Sequence, residues 1–178
     1  MDNGSSYARF LAGDEDAMLE IVKAYRPGLT FFVCGILGDA AAAQDVVQET
    51  FLKLCVKRPK DKGGAAFKTW LYAIARNLAL DHLRRQKSAP EPLSAETPSP
   101  MPGPEDARIA KEERVMLYRA LAALPEDYAA VINLSYFQGF GIAEIAKIMH
   151  KSSHNTSALL YRAKAALKAQ LEKEGFEP

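Results

Sequence analysis

Between Lys53 and Lys87 the chain sets ten lysines and arginines against two aspartates, a net of +8, and interleaves them with Phe67, Trp70 and Tyr72. Cations beside aromatic rings suit single-stranded nucleic acid, because phosphates need positive charge and splayed bases need faces to stack on. Taken singly, Phe67 and Trp70 read more simply as core, and Lys57, Arg58, Lys60 and Lys62 as a solvated loop. Their co-occurrence on one helix and the loop before it weakens those simpler readings. Just upstream, Asp45, Gln48 and Glu49 fall at i, i+3 and i+4, next to apolar Val46, Phe51 and Leu52. Residues so spaced share a helix face. That face would dock a basic partner helix, or serve as solvated surface.

A second signal lies near the C-terminus. Ile142–Met149 reads as a short helix, His150-Lys151-Ser152 as a three-residue turn, and the stretch from Ser153 as a longer helix. This is helix-turn-helix spacing. Ala146 supplies the small residue that a close crossing needs, while Thr156 and Leu160 face back into it. The second helix would enter a major groove with Ser153, His154, Ser157, Ala158 and Leu159 leading. Arg162, Lys164 and Lys168 would hold phosphates. Residues 142–173 contain six basic and two acidic side chains, a net of +4. Against DNA stand two features: the leading face has no Lys or Arg, and His150 takes a turn position that asks for an unusual backbone angle. A helical hairpin without DNA also fits the spacing.

These groups must be held by helices, since no period-2 alternation of useful length appears. Apolar residues recur at helical spacing over 14–25, and Pro27 either opens a new helix or kinks a longer one. Gly38-Asp39 gives a stop followed by an N-cap. From Ala40 to about Lys57, Val46, Val47, Thr50, Phe51, Leu54 and Cys55 form one stripe. A loop over 58–66 precedes a helix over 67–85; further helices are predicted over 105–123 and from Pro125 to about Phe137. Six of the ten prolines crowd into residues 88–104, where neither helix nor strand can run. The fold class is therefore all-α, with two small helical domains at 1–87 and 105–178 and a flexible Pro-rich linker at 88–104.

Several classes fall away. The longest apolar stretch, Leu29–Leu37, is about half of the roughly 20 residues a spanning helix needs. The polar start shows no secretory signal, so a cytoplasmic protein is expected. Cys34 and Cys55 are expected to be reduced core thiols. His82, His150 and His154 accompany no cysteine or carboxylate at metal spacing, and no P-loop, dinucleotide fingerprint or nucleophile elbow is present. No enzyme, metal, cofactor or small-molecule substrate is expected.

The runs QDVVQETFLKL at 44–54 and FKTWLYAIARNLALDHLRR at 67–85 closely resemble the helices of extracytoplasmic-function sigma factors, the small two-domain members of the sigma-70 superfamily. LPEDYAAVINLSYFQGFGIAEIAKIM and YRAKAALKAQL, within 124–171, resemble the family's C-terminal domain. The resemblance spans nearly the whole chain. It implies a sigma-2-like bundle and a sigma-4-like helix-turn-helix domain in a bacterial transcription initiation factor. Such a protein binds RNA polymerase core, directs it to promoters and captures melted non-template strand. It implies that Asp45, Gln48, Glu49 and Leu52 dock on the β′ clamp helices. The −10 element would meet Lys60, Lys62, Phe67, Arg76, Asn77, Asp81, Arg84 and Arg85, with Trp70 as core or wedge support. Duplex −35 DNA would meet Ser153, His154, Ser157, Ala158, Arg162 and Lys164, and the domain would rest on the β flap. An anti-sigma factor is the expected regulator.

Departures from the family keep other readings open. The reading helix lacks the usual basic residues, Lys151 replaces an apolar one, and Leu159 either touches a thymine methyl or packs. The alternatives are a helix-turn-helix regulator acting without polymerase and a degenerate sigma-like interaction protein. The first leaves the 44–54 and 67–85 motifs unexplained, and the absence of Lys and Arg from the 153–159 face is the best support for the second. The total charge of +1 conceals a segregated chain: −5 over residues 1–52, +8 over 53–87, −2 over 88–104 and 0 over 105–178.

Overall fold

The computed structural model describes residues 3–60, 64–88 and 111–176, all connected by helix and turn without a strand among them. Lys62 and the connection over 89–110, including most of the expected linker and the expected helix start at 105–110, lie outside the described residues.

Four helices form the N-terminal unit: α1 (Asn3–Leu11), α2 (Asp16–Leu37), α3 (Ala40–Lys57) and α4 (Gly64–Ser88). The stretch on either side of Pro27 is one helix, α2, with the proline inside it. Gly38 ends α2 with a left-handed backbone (φ 69°), its N–H bonded to the Cys34 carbonyl. Glycine adopts that conformation without the Cβ penalty. Asp39 then caps α3, its carboxylate accepting from the N–H groups of Ala41 and Ala42 at 2.8 and 3.3 Å. Val46, Val47, Thr50, Phe51 and Leu54 are buried as one face, but Cys55 is exposed, so the expected core thiol is corrected. Cys34 is buried, which pushes its thiol above the ordinary range.

The C-terminal unit follows: α5 (Lys111–Ala122), α6 (Glu126–Ile132), a π-helical turn (Asn133–Phe137), α7 (Ile142–Met149) and α8 (Ser153–Lys173). Pro125 opens α6, as its fixed φ and missing N–H allow. The π turn closes with the Gln138 N–H on the Asn133 carbonyl at 3.1 Å. This extra residue per turn aims Gln138 at the other unit.

The units share one core. Tyr72 and Phe140 meet edge to face at 5.0 Å, and Phe31 meets Phe137 at 5.0 Å and Tyr118 at 5.6 Å. Such pairs add to area burial. A Cβ built at Gly28 would lie 2.5 Å from Tyr72 Oη and 2.6 Å from Gln138 Oε1, so only glycine admits this approach.

Asp39→Ala removes the α3 cap and is expected to lower stability by about 1 kcal/mol. A urea titration followed by circular dichroism would read this as a lower midpoint with unchanged native helicity.

Candidate nucleic-acid interface

Helix α4 divides its residues between two faces. Phe67, Leu71, Ala75, Leu78 and Ala79 are buried in the N-terminal unit. Phe67 is 3% exposed, stacked on Tyr7 at 4.0 Å and set edge-on to Tyr25 at 5.6 Å. The expectation that Phe67 faces DNA is thereby corrected: its ring is core. Trp70 is partly buried beside it, ring centroids 6.5 Å apart. Trp70 edges a cleft of about 790 Å³ with Tyr7, Lys60, Glu144 and Lys147 on its walls.

The opposite face of α4 lies against the C-terminal unit. Lys68 Nζ donates to the Gln138 carbonyl at 2.5 Å and sits 4.5 Å from the Phe140 ring centre. Burial pulls the Lys68 ammonium below its ordinary range, and nearby Glu144 pulls it back up. The Tyr72 hydroxyl donates to Gln138 Oε1 at 2.6 Å, and burial pushes its own ionisation far upward, so it stays a donor. The Gln138 amide nitrogen donates to Asn133 Oδ1 at 3.2 Å and approaches the Gly28 carbonyl at 3.5 Å. Arg76 Nη2 reaches Asp127 Oδ1 at 3.3 Å, and Lys151 bridges the other Asp127 oxygen at 3.0 Å. His150 Nε2 lies 3.2 Å from Asn77 Oδ1.

The anticipated −10 residues thus separate. Lys60, Arg84 and Arg85 are exposed, with Arg84 paired to Asp81 at 3.0 Å. Arg76 is 7% exposed, so its expected free phosphate-binding role is corrected for this state. Asn77 is half-buried under the helix-turn-helix turn.

On α3, Asp45, Gln48 and Leu52 are exposed and Glu49 is half-exposed, paired with Lys53 at 3.7 Å. Leu52 at 58% and Val56 at 84% make an exposed apolar edge beside the carboxylates. Val56 was missed by the sequence reading, although its i+4 offset from Leu52 places it there.

The turn between α7 and α8 has the anticipated geometry. His150 is left-handed at φ 54°, and Ser152 caps α8 by accepting from the Asn155 N–H at 3.1 Å. Ala146 and Thr156 are buried at the crossing, and the Thr156 hydroxyl donates to the Ser152 carbonyl at 2.9 Å. Leu159 is buried, so it packs on the partner helix instead of facing a base. Ser153, His154, Ser157, Ala158 and Arg162 share the exposed side of α8. Lys164 is also exposed, its ammonium 5.4 Å from the Tyr136 ring centre. Gln138 and Asp127 are central to the contact between units, and neither bears a local sequence signal for that role. Among the described residues no metal-holding group of His, Cys, Asp or Glu occurs, and no helix is long and apolar enough to cross a membrane.

A helical bundle with exposed cations at the end of α4, joined to a helix-turn-helix unit, defines a two-module all-helical class of protein. Residues 21–89 match the family Sigma-70 region 2, and residues 114–167 match Sigma-70, region 4. The chain is 29% identical to the ECF RNA polymerase sigma factor SigW of Bacillus subtilis, over 89% of this chain and 91% of that protein. Its fold is similar to that of the sigma factor RpoE of Bartonella quintana, solved with the anti-sigma factor NepR (TM-score 0.65, 22% identity, 86% of this chain and 95% of that one). It is also similar to CnrH, solved with the cytosolic domain of CnrY (TM-score 0.69, 20% identity, 96% and 97%). The chain belongs to the sigma-70 family, carrying its regions 2 and 4, and is similar to the family's extracytoplasmic-function members.

Ala146→Leu would overfill the α7–α8 crossing and is expected to cost about 1–3 kcal/mol. Differential scanning calorimetry of the full chain would show this as a lower transition temperature.

Proposed function

We propose that the protein is a cytoplasmic, non-enzymatic transcription initiation factor that binds bacterial RNA polymerase core and directs it to specific promoters. The observation that supports this best is the pairing, on one chain, of the exposed α3 edge with the α7–α8 helix-turn-helix. A DNA-binding regulator without polymerase has no use for the first.

In this reading residues 1–87 contact core and the −10 element, and residues 105–178 contact the −35 element. Asp45, Gln48, Glu49 and Leu52 dock on the β′ clamp helices, where carboxylates meet basic partners around an apolar contact. Burial of Leu52 and Val56 would supply the non-directional part of the affinity. Lys60, Arg84 and Arg85 hold phosphates of the melted −10 strand, with Asn77 and Asp81 beside the bases. At the −35 element, Arg162 and Lys164 position the unit on phosphates, while Ser153, His154, Ser157 and Ala158 face base edges. With no Lys or Arg among those four, base readout there is weak and register comes from the backbone contacts. An anti-sigma factor is the fitting regulator, and both structural relatives were solved with such a partner or with a cytosolic domain bound.

The test is reconstitution with core polymerase and promoter DNA. A stable complex and promoter-dependent transcripts are expected, and failure to bind core would overturn the reading. Asp45→Lys with Glu49→Lys should weaken core capture in a pull-down. Arg84→Glu with Arg85→Glu should leave capture intact and abolish open-complex formation, read by permanganate reactivity of the bubble. Full activity of that last variant would move the DNA face elsewhere.

A further inference from the structure

We propose that α1 is a positioning element for strand capture: the Tyr7 hydroxyl and the Phe10 ring pin the Arg58–Lys60 segment after α3, and so set Lys60 where it holds a strand phosphate. Tyr7 is a positioning residue here, acting through Lys60. It is 1% exposed and so out of reach of nucleic acid itself. The inference rests on the reading of Lys60 as a −10 phosphate contact. The pinning groups come from outside the matched region 2, which begins at residue 21.

With nine residues, α1 is shorter than the roughly 12–15 that an isolated helix needs, so packing must hold it. Tyr7 and Phe10 supply that packing: both are buried, and the Tyr7 ring lies flat on Phe67 at 4.0 Å. Bonds at the surface fix the orientation of the helix. Ser6 Oγ donates to Glu20 at 2.6 Å, and Arg9 pairs with Asp14 at 2.6 Å and Glu20 at 2.9 Å. Such exposed pairs add little energy. From this anchored helix two groups reach the segment after α3. The Tyr7 hydroxyl donates to the Pro59 carbonyl, 52 residues away. The Phe10 ring carries the Arg58 guanidinium 4.9 Å from its centre, a cation–π contact.

The segment has reason to need holding. Arg58 is left-handed at φ 37°, a conformation that side-chain-bearing residues rarely adopt. Its N–H bonds the Leu54 carbonyl at 3.0 Å, and its Nε donates to the Cys55 carbonyl at 3.3 Å. Pro59 has no N–H, so its carbonyl is the only backbone group by which it can be tied. That carbonyl is the one Tyr7 takes. Lys60 follows directly, exposed, on the wall of the 790 Å³ cleft that Tyr7 and Trp70 also line. A lysine is a point charge on a flexible stem, so the precision of its placement has to come from the backbone beneath it. A segment already held in place loses less freedom when a strand binds. The exposed α3 edge takes no part in these contacts.

The experiment combines Tyr7→Phe, which keeps the ring and removes only the hydroxyl, with Lys60→Ala in a double-mutant cycle. Open-complex formation by the reconstituted holoenzyme is read by permanganate reactivity. Tyr7→Phe is expected to lower it roughly three- to tenfold, with core capture unchanged. The same change should have no further effect once Lys60 is alanine, because Tyr7 acts through it. No loss in Tyr7→Phe, or a loss that persists in full beside Lys60→Ala, overturns the proposal. A second measurement needs no polymerase: the heteronuclear NOE of the Lys60 amide in the free, full chain, which reports fast backbone motion. It is expected to fall in Tyr7→Phe while the Leu54 and Leu71 amides keep their parent values. An unchanged Lys60 value, or an equal fall at all three amides, overturns the pinning. Failure of the parent to bind core would remove the proposed function, while the NOE would still decide whether α1 holds Lys60.

Discussion

One helix has to satisfy two cores. The inner residues of α4, from Phe67 to Ala79, close the N-terminal unit, while Lys68, Tyr72 and Arg76, spaced one turn apart, meet the C-terminal unit. A helix buried on two sides has few positions left for solvent, so polar side chains on it must find partners or lose their water uncompensated. Gln138 meets that demand for Lys68 and Tyr72, and it does so because a π turn aims it there and Gly28 leaves room. Arg76 is where the demand is only half met.

Local chemistry was readable from the residues alone. Gly38 and Asp39 stop one helix and cap the next because a left-handed backbone and a carboxylate near free N–H groups need only neighbouring residues. The 150–152 turn, with Ala146 and Thr156 at the crossing, is equally local. The α3 face was visible for the same reason, since i, i+3 and i+4 offsets define a face without reference to the rest of the chain.

What escaped the sequence was the choice of side. Phe67, Arg76 and Cys55 each lie on a helix that was foreseen, but their exposure depends on what packs against that helix. Arg76 meets a residue 51 positions away, and Tyr72 one 66 positions away. A run of cations and rings looks the same whether the rings stack on bases or on Tyr7. Nor does any local pattern distinguish Asp127 in the first turn of α6 from an ordinary acid favoured by the helix dipole.

The two faces also differ in when they are available. Asp45, Gln48, Leu52 and Val56 stand open while the α4 polar face is shut against α7. A chain built this way has its α3 edge free and the middle of α4 covered, with Arg84, Arg85 and the leading side of α8 still exposed. What a partner can meet on such a chain is set by which side of a small bundle faces outward.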